Sequence, residues 1–136
     1  RGRGRESSRA GSRVRLNFDQ IKELHPSYRA ANPQGVQAWL ALSRQARTGP
    51  PVVAQRPFPM TWERVESIRH PTLLMTGDAD LYAPPALLRM QAQHMPHAEV
   101  AVVLESGHCP NWEQPDAFNR LVLDFLRRQS GQGCGP

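Results

Sequence analysis

The second half of the chain alternates short apolar runs with amphipathic segments. Residues 71–76 and 99–104 are nearly continuous apolar runs, which is typical of strands buried on both faces of a parallel sheet. Residues 85–95 and 115–128 place apolar side chains at helical spacing. Because strand, helix, strand, helix is the alternation of a parallel sheet, the pattern predicts an α/β fold with two parallel strands and flanking helices.

The sequence pattern in the first half of the chain predicts helices and no strands. Residues 17–31 place apolar side chains on one helical face, at Phe18, Ile21 and Leu24, until Pro26 interrupts the pattern. Residues 33–46 form a clearer helix, with Pro33 in its first turn and Asn32 as a candidate N-cap.

A proline-rich segment separates these helices from the first strand. Residues 48–60 are expected to form an irregular linker or lid-like loop. Thr61 is a candidate N-cap for a short helix that contains Trp62, Val65 and Ile68. We expect the three tryptophans to serve core or lid packing rather than a substrate platform; they are Trp39, Trp62 and Trp112.

Charge changes this picture only at the N-terminus. Residues 1–15 hold six arginines and one acid, so the net charge of +5 lies entirely in this Arg/Gly/Ser leader. A segment of that composition buries too little apolar surface to order itself, and we expect it to be disordered. Contacts with nucleic acid through phosphates remain an alternative, but no aromatic side chain interleaves the arginines to stack on bases.

Composition excludes several other classes of protein. No apolar run approaches the roughly 18 residues of a membrane span, and no apolar stretch follows the basic N-terminus as in a signal peptide. A cytoplasmic protein is therefore expected.

Cys109 and Cys134 lack metal-ligand spacing, and we interpret them as free thiols, although a disulfide stays open. His94 and His97 are interpreted as a solvated helix end rather than a metal site.

Candidate chemistry lies in the polar turns that follow the two predicted strands. Asp78 and Asp80 come directly after the first strand, and His108 comes after the second. Because ligands bind beyond the carboxyl ends of parallel strands, we expect these turns to converge at one sheet edge. A carboxylate that holds one imidazole nitrogen prepares the other nitrogen as a general base. A metal site formed by these three residues is an alternative.

These turns resemble the α/β-hydrolases. In that superfamily a G-x-x-D turn supplies the acid of a catalytic triad, matched by Gly77 and Asp80, and a G-H turn supplies the base, matched by Gly107 and His108. The E-x-P that follows, formed by Glu113 and Pro115, is similar too, as is the closing helix. The resemblance implies that Asp80 and His108 are catalytic, that Asp78 serves the turn, and that the chain represents the C-terminal part of a hydrolase of esters, lactones or similar small substrates.

Composition and the resemblance together divide the chain into a leader, a helical cap- or lid-like segment, a C-terminal part of the hydrolase core and a flexible tail; these are residues 1–15, 16–67, 68–129 and 130–136. It implies no cofactor and no resident metal. The expected partners are a small-molecule substrate and, over the exposed sheet edge, a second copy or a complementing chain.

One element of the family is missing from the sequence. The family nucleophile lies in a G-x-S-x-G turn, and none of the eight serines has glycine at both flanking positions of that motif. The isolated chain is therefore expected to be inactive. The alternatives are a non-catalytic truncated remnant or interaction module and, less favoured, a nucleic-acid-binding protein that acts through its leader.

Overall fold

The computed structural model describes residues 18–46 and 58–131, with side chains from residue 21 onward. In chain order its elements are α1 (Phe18–Glu23), α2 (Pro26–Ala31), α3 (Pro33–Ala46), α4 (Trp62–Glu66), β1 (Thr72–Gly77), α5 (Pro85–Gln93), β2 (Ala98–Val103), α6 (Pro110–Glu113) and α7 (Pro115–Gly131). The leader, most of the predicted proline-rich loop and Cys134 lie outside the described residues.

The two strands form a parallel pair. Thr72 lies opposite Ala98, and Gly77 lies opposite Val103. Helix α5 is the crossover between the strands and packs against both, while α7 packs against β2. The predicted α/β fold with two parallel strands and flanking helices is confirmed, and each observed strand is shifted by one residue from the predicted one.

The prediction that both strands are buried on both faces is wrong for the described residues. The side chains of Thr72 to Met75 are half-buried, Val100 is exposed, and Leu104 is 71 % exposed. The reason is that the described sheet has two strands, so each strand has one strand neighbour and the two flanking helices cover the apolar side chains incompletely.

Pro26 begins a helix where the sequence pattern predicted only an interruption. Helix α1 ends at Glu23, and α2 starts at Pro26, whose missing N–H costs nothing in the first turn. The imidazole Nδ1 of His25 accepts a hydrogen bond from the Ser27 N–H at 3.0 Å and so caps α2. The predicted N-cap of α3 is confirmed: the side-chain oxygen of Asn32 accepts from the Gly35 N–H at 2.8 Å.

The best-buried apolar cluster joins the first helices to the turn after β2. Its buried members are Leu24, Val36, Trp39 and Leu40, and Tyr28, Cys109 and Trp112 pack against them. Two of the three tryptophans therefore serve packing, as expected. Trp62 instead is half-exposed and stacks on the His94 ring, with 4.1 Å between ring centroids.

Other element boundaries depart modestly from the pattern. Thr61 caps α4 as predicted, but α4 ends before Ile68. Helix α5 ends at Gln93, two residues early, and α7 runs three residues longer than predicted. The short helix α6 was not predicted, because one turn of four residues leaves no periodicity to detect.

Within residues 18–46 and 58–131, no helix combines the length and apolar character that crossing a membrane requires.

Candidate active site

The turns after β1 and β2 meet at one edge of the sheet. Asp80 lies three residues beyond β1, and His108 lies five residues beyond β2. Since the strands are parallel neighbours, both turns emerge on the same side. The imidazole Nδ1 of His108 lies 2.9 Å from Oδ2 of Asp80, across 28 positions of sequence. The predicted convergence of acid and imidazole is thus observed, and we call these two residues the Asp80–His108 pair.

Asp80 is a buried carboxylate that is fully supplied with donors. It is 4 % exposed. Its Oδ1 accepts the backbone N–H groups of Tyr82 at 2.7 Å and Ala83 at 3.0 Å, and the Thr76 hydroxyl lies 3.0 Å from Oδ2. Burial acts to raise the pKa of Asp80, but the hydrogen bonds from Ala83, His108, Tyr82 and Thr76 together outweigh it and hold the pKa below its ordinary value. Asp80 is therefore ionised at neutral pH.

His108 presents its ring to solvent while one nitrogen is held. Its side chain is 45 % exposed, and the Tyr82 ring lies 4.7 Å away between centroids at an interplanar angle of 51°. An ionised carboxylate can only accept, so Nδ1 of His108 carries the proton of this hydrogen bond. In the neutral ring, Nε2 then keeps its lone pair and is the nitrogen that can accept a proton.

Asp78 serves a different purpose from Asp80. Its Oδ1 accepts the Ser106 N–H at 3.1 Å, and its own N–H donates to the Val103 carbonyl at 3.0 Å. Nε2 of His25 lies 3.8 Å from the same Oδ1. Asp78 therefore ties the two turns together, which supports a role in the turn. The metal alternative for Asp78, Asp80 and His108 gains no support: among the described residues, no three His, Cys, Asp or Glu side chains converge as a metal site would require.

His94 and His97 likewise belong to no group of three potential metal ligands among the described residues. The His94 ring bonds Oε1 of Glu66 through Nδ1 at 2.7 Å, so it links α5 to α4.

Close backbone approach holds the two turns in place. A Cβ atom added to Gly77 would lie 2.1 Å from the carbonyl oxygens of Ser106 and Gly107. A Cβ on Gly107 would lie 2.6 Å from the carbonyl oxygen of Glu23. Glu105 takes a left-handed conformation, with φ of 54°, where the chain leaves β2. Both glycines of the sequence motifs are thus required by contact distance.

Sequence reasoning missed the roles of three residues that shape this site. Thr76 supports Asp80, His25 bonds to α2 and approaches Asp78, and Glu113 bonds the turn that carries His108. Glu113 was noticed only as part of a family motif. The H-P-S sequence of residues 25–27 carries a capping signal that could have located His25, whereas nothing in the sequence indicated the partner of Thr76.

Cys109 follows His108 but has the properties of a packed thiol. Burial raises its pKa, and the carboxylates of Glu23, Glu113 and Asp80 raise it further, against the opposing effect of a hydrogen bond with Trp39. The thiol stays protonated at neutral pH. It borders a cavity of about 340 Å³ whose lining is mainly apolar and includes Trp39, Leu42 and Trp112.

Comparison with known proteins gives a consistent family assignment. The profile of the alpha/beta hydrolase family matches residues 2–121. A 2-hydroxy-6-oxononadienedioate/2-hydroxy-6-oxononatrienedioate hydrolase of Burkholderia vietnamiensis is 37% identical over 71 residues, which are 52% of this chain and 25% of that protein. An uncharacterized carboxylesterase, nap, of Bacillus subtilis is 30% identical over 109 residues, 79% of this chain and 35% of that protein.

Solved structures show the same fold. A thermophilic esterase from Thermogutta terrifontis superposes with a TM-score of 0.62 at 21% identity, covering 81% of this chain and 42% of the esterase. MGS-M2, an α/β hydrolase from a deep-sea metagenome library, gives 0.58 at 18% identity, covering 80% and 42%. The matched part of the chain thus spans between 25% and 42% of the length of these relatives, and by its profile match the chain belongs to the α/β-hydrolase family.

Proposed function

We propose that this chain supplies the acid and the base of an α/β-hydrolase catalytic triad. The observation that carries the proposal is the 2.9 Å contact between Nδ1 of His108 and Oδ2 of Asp80. A buried, ionised carboxylate holds one ring nitrogen, and the ring itself reaches solvent. That arrangement is the one a general base requires, because the carboxylate selects the tautomer and stabilises the imidazolium that forms.

The chemistry follows from the position of the free lone pair. Nε2 of His108 takes the proton of a nucleophilic hydroxyl as its oxygen attacks an acyl carbon, and Asp80 pairs with the resulting imidazolium. His108 then returns this proton to the leaving group, and the acylated hydroxyl is released by water in a second passage through the same steps. A hydrolase of small esters or related acyl substrates is therefore the proposed activity.

We further propose that the nucleophile comes from polypeptide other than these 136 residues. None of the eight serines stands in a G-x-S-x-G context, and the matched relatives are several times longer than the matched segment. The names of the relatives suggest two substrate classes, carboxylic esters and 6-oxo-dienoates. We favour the ester as the first probe because it is the simplest acyl substrate for such a site.

The test joins the full chain to the part of the Burkholderia vietnamiensis hydrolase that this chain does not match; we call the product the fused hydrolase. Hydrolysis of p-nitrophenyl esters and of 2-hydroxy-6-oxononadienedioate is then measured. The fused hydrolase should turn over, and His108→Ala should lower kcat by at least about 10²-fold, the usual contribution of a general base. His97→Ala, an exposed histidine on the same chain, is the matched control.

Three outcomes would contradict part or all of the proposal. If the fused hydrolase keeps its turnover after His108→Ala, His108 is not the general base. Turnover by the 136-residue chain alone, abolished by both His108→Ala and Asp80→Ala, would place the nucleophile within this sequence. A well-folded fused hydrolase with no turnover would favour a non-catalytic remnant or interaction module, the reading that the absent serine motif supports.

A further inference from the structure

Glu113 is a buried carboxylate between the turn that carries His108 and the segment that joins α1 to α2. It is 5 % exposed and is the last residue of α6. Its Oε1 accepts the Gly107 N–H at 2.7 Å and lies 3.3 Å from the Ser106 hydroxyl. Its Oε2 accepts the His25 N–H at 2.5 Å. One side chain therefore binds two segments that are distant in sequence.

The two peptide groups that flank the Gly107 α-carbon, directly before His108, depend on the same segment. The His108 N–H donates to the Glu23 carbonyl at 2.8 Å, and the Gly107 N–H reaches His25 through Glu113. The turn is also in direct contact with this segment, because a Cβ on Gly107 would clash with the Glu23 carbonyl. His108 is thus anchored from its backbone, while its ring is anchored by Asp80 alone among the hydrogen bonds described above.

Packing alone does not explain a carboxylate at this position. Burying an ionised group is costly unless each oxygen accepts hydrogen bonds, and an apolar side chain would fill the same space at less cost. The three donors around Glu113 all need acceptors, and a carboxylate offers two oxygens that only accept. A glutamine has the same shape, but its NH₂ group would face a donor on one side.

We propose that Glu113 is the positioning residue of His108. By holding the Gly107 peptide against residues 23–25, it fixes the backbone from which the His108 ring reaches Asp80. Glu113 contacts neither the His108 ring nor Asp80 in the hydrogen bonds of this site, so its effect passes through the backbone. Catalytic groups must be held within about 0.5 Å of their working geometry, and backbone anchors of this kind provide that precision. The catalytic meaning of this role rests on the proposed function; the positioning itself does not.

The experiment follows the Nδ1–H proton of His108 by NMR in the full, ¹⁵N-labelled 136-residue chain. A proton held between imidazole and a buried carboxylate exchanges slowly with water and resonates far downfield. Glu113→Gln should accelerate its exchange about tenfold, the ratio that corresponds to one hydrogen bond of ordinary net strength. Glu66→Gln is the matched control, because it makes the same change beside another histidine, His94, and should leave the His108 proton unaffected.

Thermal unfolding of each variant separates positioning from general stability. If Glu113→Gln lowers Tm but leaves the His108 Nδ1–H resonance and its exchange unchanged, the proposal is overturned and Glu113 is a structural residue only. If Glu113→Gln does not fold, Glu113→Asp decides by the same criterion, since it keeps the charge but is one methylene too short to bind both segments.

The readout also keeps this proposal distinct from the proposed function. The NMR measurement needs neither nucleophile nor substrate. Suppose that the His108 proton responds to Glu113→Gln but the fused hydrolase does not need His108. The proposed function would then be wrong, and the positioning role of Glu113 would still hold. If instead the proton does not respond but the fused hydrolase needs His108, the positioning role would be wrong and the proposed function would still hold.

Discussion

Gly77 and Gly107 touch across the two turns that carry Asp80 and His108, so closely that a Cβ on Gly77 would lie 2.1 Å from the Gly107 carbonyl oxygen. This is a contact of backbone against backbone, and neither side can rotate away. The two turns can therefore lie this close only because Gly77 has no side chain. The contact between Asp80 and His108 depends on this short separation.

Gly77→Ala should destabilise the chain by about 3 kcal/mol or prevent folding, since overpacking against rigid backbone costs 1–3 kcal/mol and occasionally more. The free energy of unfolding in urea measures it. Gly131→Ala is the matched control: nothing lies within 4 Å of a Cβ at the end of α7, so the change should be neutral or slightly stabilising. Equal stability of Gly77→Ala and the wild type would mean that the two turns lie farther apart than described.

The second prediction concerns stability at acid pH. Because hydrogen bonds hold the pKa of Asp80 below its ordinary value in the folded chain, the unfolded chain takes up this proton first, near pH 4. The contribution of Asp80 is fully present above roughly pH 4 and is lost as the pH falls through the lower pKa of the folded state. Urea unfolding at pH 5 and pH 3 should show a steeper loss for the wild type than for Asp80→Asn.

The control for this measurement is Asp116→Asn, which changes an exposed carboxylate in the first turn of α7. Its pH dependence should follow the wild type. If the free energy of unfolding of the wild type depends on pH as weakly as that of Asp80→Asn, the hydrogen bonds to the Asp80 carboxylate do not stabilise the folded chain.

How much of this site the sequence predicted can be judged from particular residues. Asp80 and His108 could be found because each lies in the turn that follows a strand, and the carboxyl ends of parallel strands lie at the same edge of a sheet. Gly77 and Gly107 could be found because each belongs to a short motif whose glycine position has no room for a side chain. Local patterns of this kind survive in one sequence.

The contacts of the residues that were missed left no such pattern. Glu113 lies 88 positions from His25, and Thr76 binds Asp80 through a hydroxyl on a strand that was assigned only by its apolar neighbours. Neither contact leaves a periodic signal. The expected burial of both strand faces failed for a related reason, because the apolar runs of β1 and β2 specify burial without specifying which segment covers them.

The third prediction concerns Cys109. Burial and the nearby carboxylates raise the pKa of this thiol, so little thiolate is present at neutral pH. In a Cys134→Ser chain, alkylation of Cys109 by iodoacetamide should be slower than that of free cysteine at pH 7.5, and its rate should climb only at higher pH. Mass spectrometry of timed samples measures it. Alkylation in urea supplies the control, since unfolding removes both the burial and the carboxylates; faster reaction in the native state than in urea would contradict the assignment.

The fourth prediction separates the two aspartates of the acid turn. Asp80→Asn in the fused hydrolase should lower kcat by about 10⁴-fold, as expected when a triad acid is replaced by an amide that favours the wrong imidazole tautomer. Asp78→Asn should cost far less activity, because Asp78 bonds the Ser106 N–H and the Asn side-chain oxygen can still accept that bond. Both variants keep side-chain size, so a Tm close to that of the parent makes the comparison one of chemistry. Equal losses of kcat for the two variants would show that the turn as a whole, and not the Asp80 carboxylate, governs His108.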